Sequence, residues 1–165
     1  MGSVTYDHLH RWHHDDYAVA HEHILRQLGD ISESMVFGRQ VLCAVYVRPG
    51  RTRAGLEFTG DKQNEDIHSG KTMMVLQLGP SAFSGDADYL HAMYGAYGPP
   101  KPGDWVAARA NVGEAISIQG EDAERVKHED RRGDLQDTYP WEGWPCRIVQ
   151  DESLLMRVNK PHQVV

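Results

Sequence analysis

Hydrophobic and polar positions along this chain follow two periods in turn, and each predicts a different kind of element. In "DDYAVAHEHILRQLG" (residues 15–29), Ile24, Leu25 and Leu28 recur at helical spacing. Asp15 or Asp16 supplies an N-cap and Gly29 a C-terminal stop, so a short helix is predicted. A helix of that length cannot bury its stripe alone and must dock on something else. From residue 40 the pattern becomes β-like. "QVLCAVYVRPG" (40–50) mixes β-branched and aromatic residues and ends in a Pro-Gly turn. "GKTMMVLQLGP" (70–80) repeats the pattern, and "WVAARA" (105–110), "EAISIQG" (114–120) and "CRIVQDESLLMRV" (146–158) follow. Short strands divided by Gly/Pro turns predict an all-β barrel or sandwich rather than alternating β-α units. The polar run "DKQNEDIHSGK" (61–71) and the Gly/Tyr-rich connection 81–104 read as loops, and residues 121–145 as a charged insertion without clear period.

Length and charge narrow the classes. The 165 residues suit one domain with room for a core. A formal net charge of -7 excludes a nucleic-acid binder dominated by phosphate contacts and leaves open partners with a basic face. Two distant cysteines make neither a disulfide framework nor a zinc site. Cys43, inside "VLCAVYV", reads as a buried thiol, and a reduced cytoplasmic setting is expected. No apolar run approaches the ~20 residues of a membrane span, and no signal peptide is expected before so polar a start.

The candidate chemistry begins with histidine. Six of the ten histidines fall in residues 1–37. His10 and His14 share a face if their segment is helical, and with His21 they are the metal candidates. "HEH" is not HExxH, however, and the plainer reading is a polar arm whose imidazoles meet water or other chains, with pH sensing near 6.5 as a further possibility. Ser81, Ser84 and Ser117 have no nucleophile-elbow context, and Gly60 stands too far before Gly70-Lys71-Thr72 to make a phosphate-binding loop. No catalytic constellation is predicted, so the chain reads as a non-enzyme without a cofactor. The aromatic residues carry more. Trp12, Tyr94, Tyr97, Trp141 and Trp144 are the predicted partner-binding anchors, because rigid rings on proline-held loops bury area at little entropic cost. For Trp141 and Trp144 the alternative is a lid packed on its own barrel.

The β segments, taken together, resemble a known family. "QVLCAVYVRPGRTRAGLEFTG", "HSGKTMMVLQLGP", "KPGDWVAAR", "SIQG" and "CRIVQDESLLMRV" look like the GroES-type co-chaperonin fold, above all its divergent bacteriophage members. The resemblance covers most of residues 39–120 and 146–158. It implies a small GroES-like β-barrel over residues 38–158, carrying an N-terminal arm with one short helix (1–37), the insertion 121–145 and a C-terminal tail (159–165). It also implies that Leu56, Glu57 and Phe58 hold the place of the apolar triplet with which a co-chaperonin loop docks on its chaperonin.

Glu57 departs from that triplet. A buried, unpaired carboxylate costs several kcal/mol or is forced to protonate. In a strand, Leu56 and Phe58 face one side and Glu57 the other without strain, so an edge strand suits the segment better than a plug. The arm (Tyr6–Leu28) and the aromatic loops are additions that a chamber lid does not need but a permanent assembly uses. The expectation is therefore a bacteriophage virion protein, either a capsid decoration (cement) or a head-tail connection subunit. It would be made in the host cytoplasm and contact other copies of itself and virion proteins such as the major capsid protein. Two alternatives stand beside it: a co-chaperonin capping a host or phage chaperonin through the 54–70 loop, and a histidine-rich metal-binding protein.

Overall fold

The β-patterned stretches fold where their sequence places them. A computed structural model describes residues 17–47, 60–120, 127–129, 135–137 and 144–161. Strands β1 (Gln40–Val45), β2 (Thr72–Leu78), β3 (Trp105–Ala108) and β4 (Glu114–Ile118) match four of the predicted runs. Residues 121–145 were expected as one block; they contain β5 (Lys127–Glu129) and β6 (Leu135–Asp137), which pair with each other, and their last two residues begin β7 (Trp144–Gln150). The run 146–158 is split by a single 3-10 turn, Asp151–Ser153, into the end of β7 and a separate strand β8 (Leu154–Arg157).

Six of these strands form one antiparallel sheet in the order β4-β7-β1-β2-β3-β8. The protein is mostly β, and the sheet is open, with β4 and β8 as its edges. Its connections force it to curl. β7 and β8 lie four strand positions apart, about 19 Å across a flat sheet, yet only the three residues Asp151–Ser153 join them. A 3-10 turn rises about 2 Å per residue, so the two strand ends meet only if the sheet rolls round. The β3–β4 connection (109–113) makes a similar crossing. Gly113 permits it: its φ is +73°, and a Cβ there would collide with the Ile148 carbonyl.

Burial on β1 departs from simple alternation. Every residue from Val41 to Val47 is buried, so the strand is covered on both faces. Its neighbours β2 and β7 supply Met73, Met74, Val75, Trp144, Cys146 and Val149 to the same core.

Among the described residues three α-helices accompany the sheet. α1 (Tyr17–Leu28) buries Ile24 and Leu28 in that core. The Gly29 amide closes the helix on the Leu25 carbonyl at 3.1 Å with Gly29 at φ +68°, as the predicted stop requires. Leu25 is left exposed, and the capping pair Asp15 and Asp16 lies outside the described residues. α1 thus docks on its own sheet through Ile24 and Leu28, and the rest of the expected arm, before Tyr17, lies outside the described residues.

α2 (Gly60–Ser69) corrects the loop expected there. Its sequence, GDKQNEDIHS, carries one large apolar residue, Ile67, and so shows no stripe. What fixes its C-terminal end is distant in the chain. The Arg147 guanidinium donates to the carbonyls of His68 (2.5 Å) and Val112 (3.1 Å), and the cation suits the negative end of the helix dipole. Gly70 gives the guanidinium room, because a Cβ there would lie 2.5 Å from Arg147 Nε.

Candidate protein-contact site

α3 (Ala87–Tyr94) is a second helix inside a predicted loop. The Asp86 carboxylate caps it by accepting from the Tyr89 amide at 2.8 Å, and Gly95 ends it. No residue of α3 is buried. Tyr89 and Met93, one helical turn apart, are both about half exposed or more, and Tyr97, just beyond, is 84% exposed. Opposite stands β8, where Leu155 and Met156 are 59% and 58% exposed although neighbours on a strand point to opposite faces. β8 is thus uncovered on both faces.

Between α3 and β8 lies a cleft of about 410 Å³, with Arg39, Tyr89, Met93, Met156, Asp151 and Glu152 among its lining. Two polar ties hold its shape. At one end Asp151, 2% exposed, accepts from Arg39 Nε (3.2 Å), from the Phe83 amide (2.8 Å) and from the Glu152 amide (2.7 Å). The Asp151 amide in turn donates to the Arg39 carbonyl at 3.0 Å. One buried carboxylate therefore joins the start of β1, the turn before α3 and the start of β8. It also secures Phe83, a non-glycine residue at φ +52°, whose ring is buried edge-to-face against Tyr94 at 5.4 Å. The Asp151 carboxylate holds the Arg39 guanidinium pKa above its ordinary value. Burial, and then the Asp151 charge, raises the Tyr94 phenol. At the other end Arg157 donates to the Gly98 and Pro99 carbonyls (3.2 and 3.3 Å) and pairs with Asp104 at 3.3 Å, pinning the Gly/Pro connection beside β8.

The predicted anchors separate into three groups. Tyr94 is half-buried and lines the cleft, and Tyr97 stands beside it on the surface. Trp144 corrects its assignment as a partner anchor: it is 2% exposed in β7 and its indole N–H donates to the Val45 carbonyl at 3.0 Å. Its ring is packed within its own fold, as the lid alternative had it. Trp12, Trp141, Leu56, Glu57, Phe58, His10 and His14 lie outside the described residues. His21 sits on α1 beside Leu25, Ile31, Met74 and Pro102, in a small pocket of about 300 Å³ with no carboxylate or thiol in its lining. Among the described residues no three His, Cys, Asp or Glu side chains gather as a metal site would need. Cys43 and Cys146 are buried and free, and burial pushes the Cys43 thiol to about 12 and the Cys146 thiol higher than usual as well. No described helix is long and apolar enough to cross a membrane.

Sequence reasoning missed Asp151, Arg39 and the α3 cap. The α3 signal is present in "SGDADYLHAMYG": a capping Asp, then Tyr89, Leu90, Met93 and Tyr94 at helical spacing, then Gly. Asp151 has no such local signal, because all that marks it is its distant partners. No protein-family model matches the chain, and no curated protein matches it.

Proposed function

We propose that this chain is a non-enzymatic bacteriophage structural protein, a capsid decoration or head-tail connection subunit, that binds other virion proteins through the face made by α3 and β8. The observation that carries this reading is where the uncovered apolar side chains lie. Of the eight large hydrophobic residues exposed among the described ones, five (Tyr89, Met93, Tyr97, Leu155 and Met156) belong to this face. Apolar side chains gathered on one face, around an edge strand, are the mark of a protein-contact surface. The resemblance to the GroES-type fold gains support from the curl of the sheet, since a rolled six-stranded sheet with short crossings is an open form of a small barrel.

The co-chaperonin alternative draws on residues 54–70, of which 60–69 are helix with the C-terminal end gripped by Arg147. That grip suits a fixed support better than a free docking loop. Quantitative mass spectrometry of purified particles tests the proposal. It predicts the chain at fixed high copy relative to the major capsid protein. ATP-dependent association with a chaperonin, lost on replacing Leu56 and Phe58 by Ser, overturns it. For the metal-binding alternative, elemental analysis of the purified chain is expected to find no stoichiometric zinc.

A further inference from the structure

The fold divides the sulfur atoms of this chain by accessibility. Cys43 and Cys146 are buried and free of any disulfide, and burial keeps both thiols protonated through neutral pH. The thiolate is the form that attacks an oxidant, so these two sulfurs are both out of reach and in the unreactive form. Met73 and Met74, on β2, are buried as completely. Three described methionines stand in solvent: Met35 is 66% exposed, Met93 56% and Met156 58%. The first sulfurs that an oxidant meets are therefore thioethers, not thiols. The fold also brings two of the three together. Met93 stands in the last turn of α3, Met156 stands on β8, and both line the same cleft of about 410 Å³. Met35 precedes β1 and is not part of that lining. Neither Met93 nor Met156 belongs to the hydrophobic core, so an oxygen added to either leaves the packing of the fold in place.

We propose that Met93 and Met156 form a paired oxidation site, and that a peroxide acting on them switches off the face made by α3 and β8; the second half rests on the contact reading above. In the reaction the thioether sulfur gives a lone pair to one oxygen of the peroxide. The S–O bond forms as the O–O bond breaks, and the departing hydroxide takes up the proton of the transferred hydroxyl. The products are a sulfoxide and water, with sulfur oxidised by two electrons and the peroxide reduced by two. Each sulfoxide puts a polar acceptor where the cleft wall had a polarizable apolar group. Against an apolar partner that oxygen is desolvated without a donor, which weakens the contact about tenfold.

The test treats the folded full-length chain with hydrogen peroxide over a time course and maps every sulfur by digestion and mass spectrometry. Met93 and Met156 are expected to gain one oxygen each at close to the rate seen in the urea-unfolded chain. Met73, Met74 and both cysteines are expected to stay unmodified until the chain unfolds. Retention on a hydrophobic-interaction column should fall as Met93 and Met156 oxidise, with the melting temperature unchanged. Met93→Leu with Met156→Leu keeps apolar walls of similar volume and should remove most of that shift, whereas Met35→Leu should keep most of it. Oxidised chain is expected to bind particles lacking it about tenfold more weakly than untreated chain. Binding by the double variant, whatever its level, should not respond to peroxide. Cysteine oxidation ahead of Met93 and Met156 overturns the proposal. So does a retention shift that survives the double variant, or oxidised chain that binds as tightly as untreated chain. If untreated chain does not bind particles at all, the virion role is refuted, and the peptide map and column still decide the oxidation site.

Discussion

β1 and β8 belong to the same sheet and meet opposite fates. Every residue of β1 from Val41 to Val45 is buried, and the strand is paired on both sides, whereas β8 leaves Leu155 and Met156 exposed and one edge unpaired. Both are rich in large apolar side chains. What separates them is position in the curl: a central strand is covered by its own fold, and an edge strand depends on something outside it. The apolar content of β1 stabilises the fold, and much of that of β8 stays exposed.

Substitutions on the two strands should therefore fail in different ways. The largest effect is expected in the covered centre. Met74→Ala, facing β1 across the β1–β2 ladder, should cost about 2–5 kcal/mol of unfolding free energy, read from denaturant midpoints. Next comes the joint between centre and edge. Asp151→Ala leaves the Phe83 amide without its acceptor and Arg39 without its counter-ion, and should cost about 2–3 kcal/mol. Its loss should also loosen α3, visible as faster amide exchange over residues 87–94. At the edge itself Leu155→Asp should move stability by less than about 0.5 kcal/mol while removing partner binding. An outcome in which Leu155→Asp destabilises as much as Met74→Ala would erase the distinction between the two strands.

A smaller effect comes from pH. The buried thiols of Cys43 and Cys146 keep their protons in the folded state longer than in the unfolded chain. Groups whose folded pKa is raised stabilise fully below the unfolded value, and the contribution is lost as pH rises above it. Stability should thus be flat through neutral pH and fall from about pH 9 upward, by at most about 1.4 kcal/mol per pH unit per thiol. Cys43→Ala should make that alkaline limb shallower in denaturant titrations. Both thiols should also resist a thiol reagent until the chain unfolds.

How much of this was legible in the sequence follows the same division. Strand positions came through because β-branched runs between Gly/Pro turns are local signals, and α1 came through because its apolar spacing and Gly29 are local too. α2 did not, since its hold on the sheet comes from Arg147, 79 residues after His68. α3 carried a legible cap and stop that its Gly/Pro surroundings obscured. Trp144 shows the limit most plainly. Its composition suits a contact surface and a packed core equally, and only the ladder of β7 against β1 decides between them. For the candidate site, Tyr94 and Tyr97 stand out in the sequence as aromatics of a Gly/Pro-rich connection, and the fold places Tyr94 in the cleft lining and leaves Tyr97 exposed, whereas Arg39, Asp151 and Glu152 take their meaning from contacts made across the fold.

Amide hydrogen exchange of the chain, free in solution and within purified particles, tests the central claim most directly. The account predicts that the amides on the unpaired side of β8, and those of α3, exchange faster in the free protein than in the particle, while β1 is protected in both. Equal exchange at β8 in the two states would contradict it.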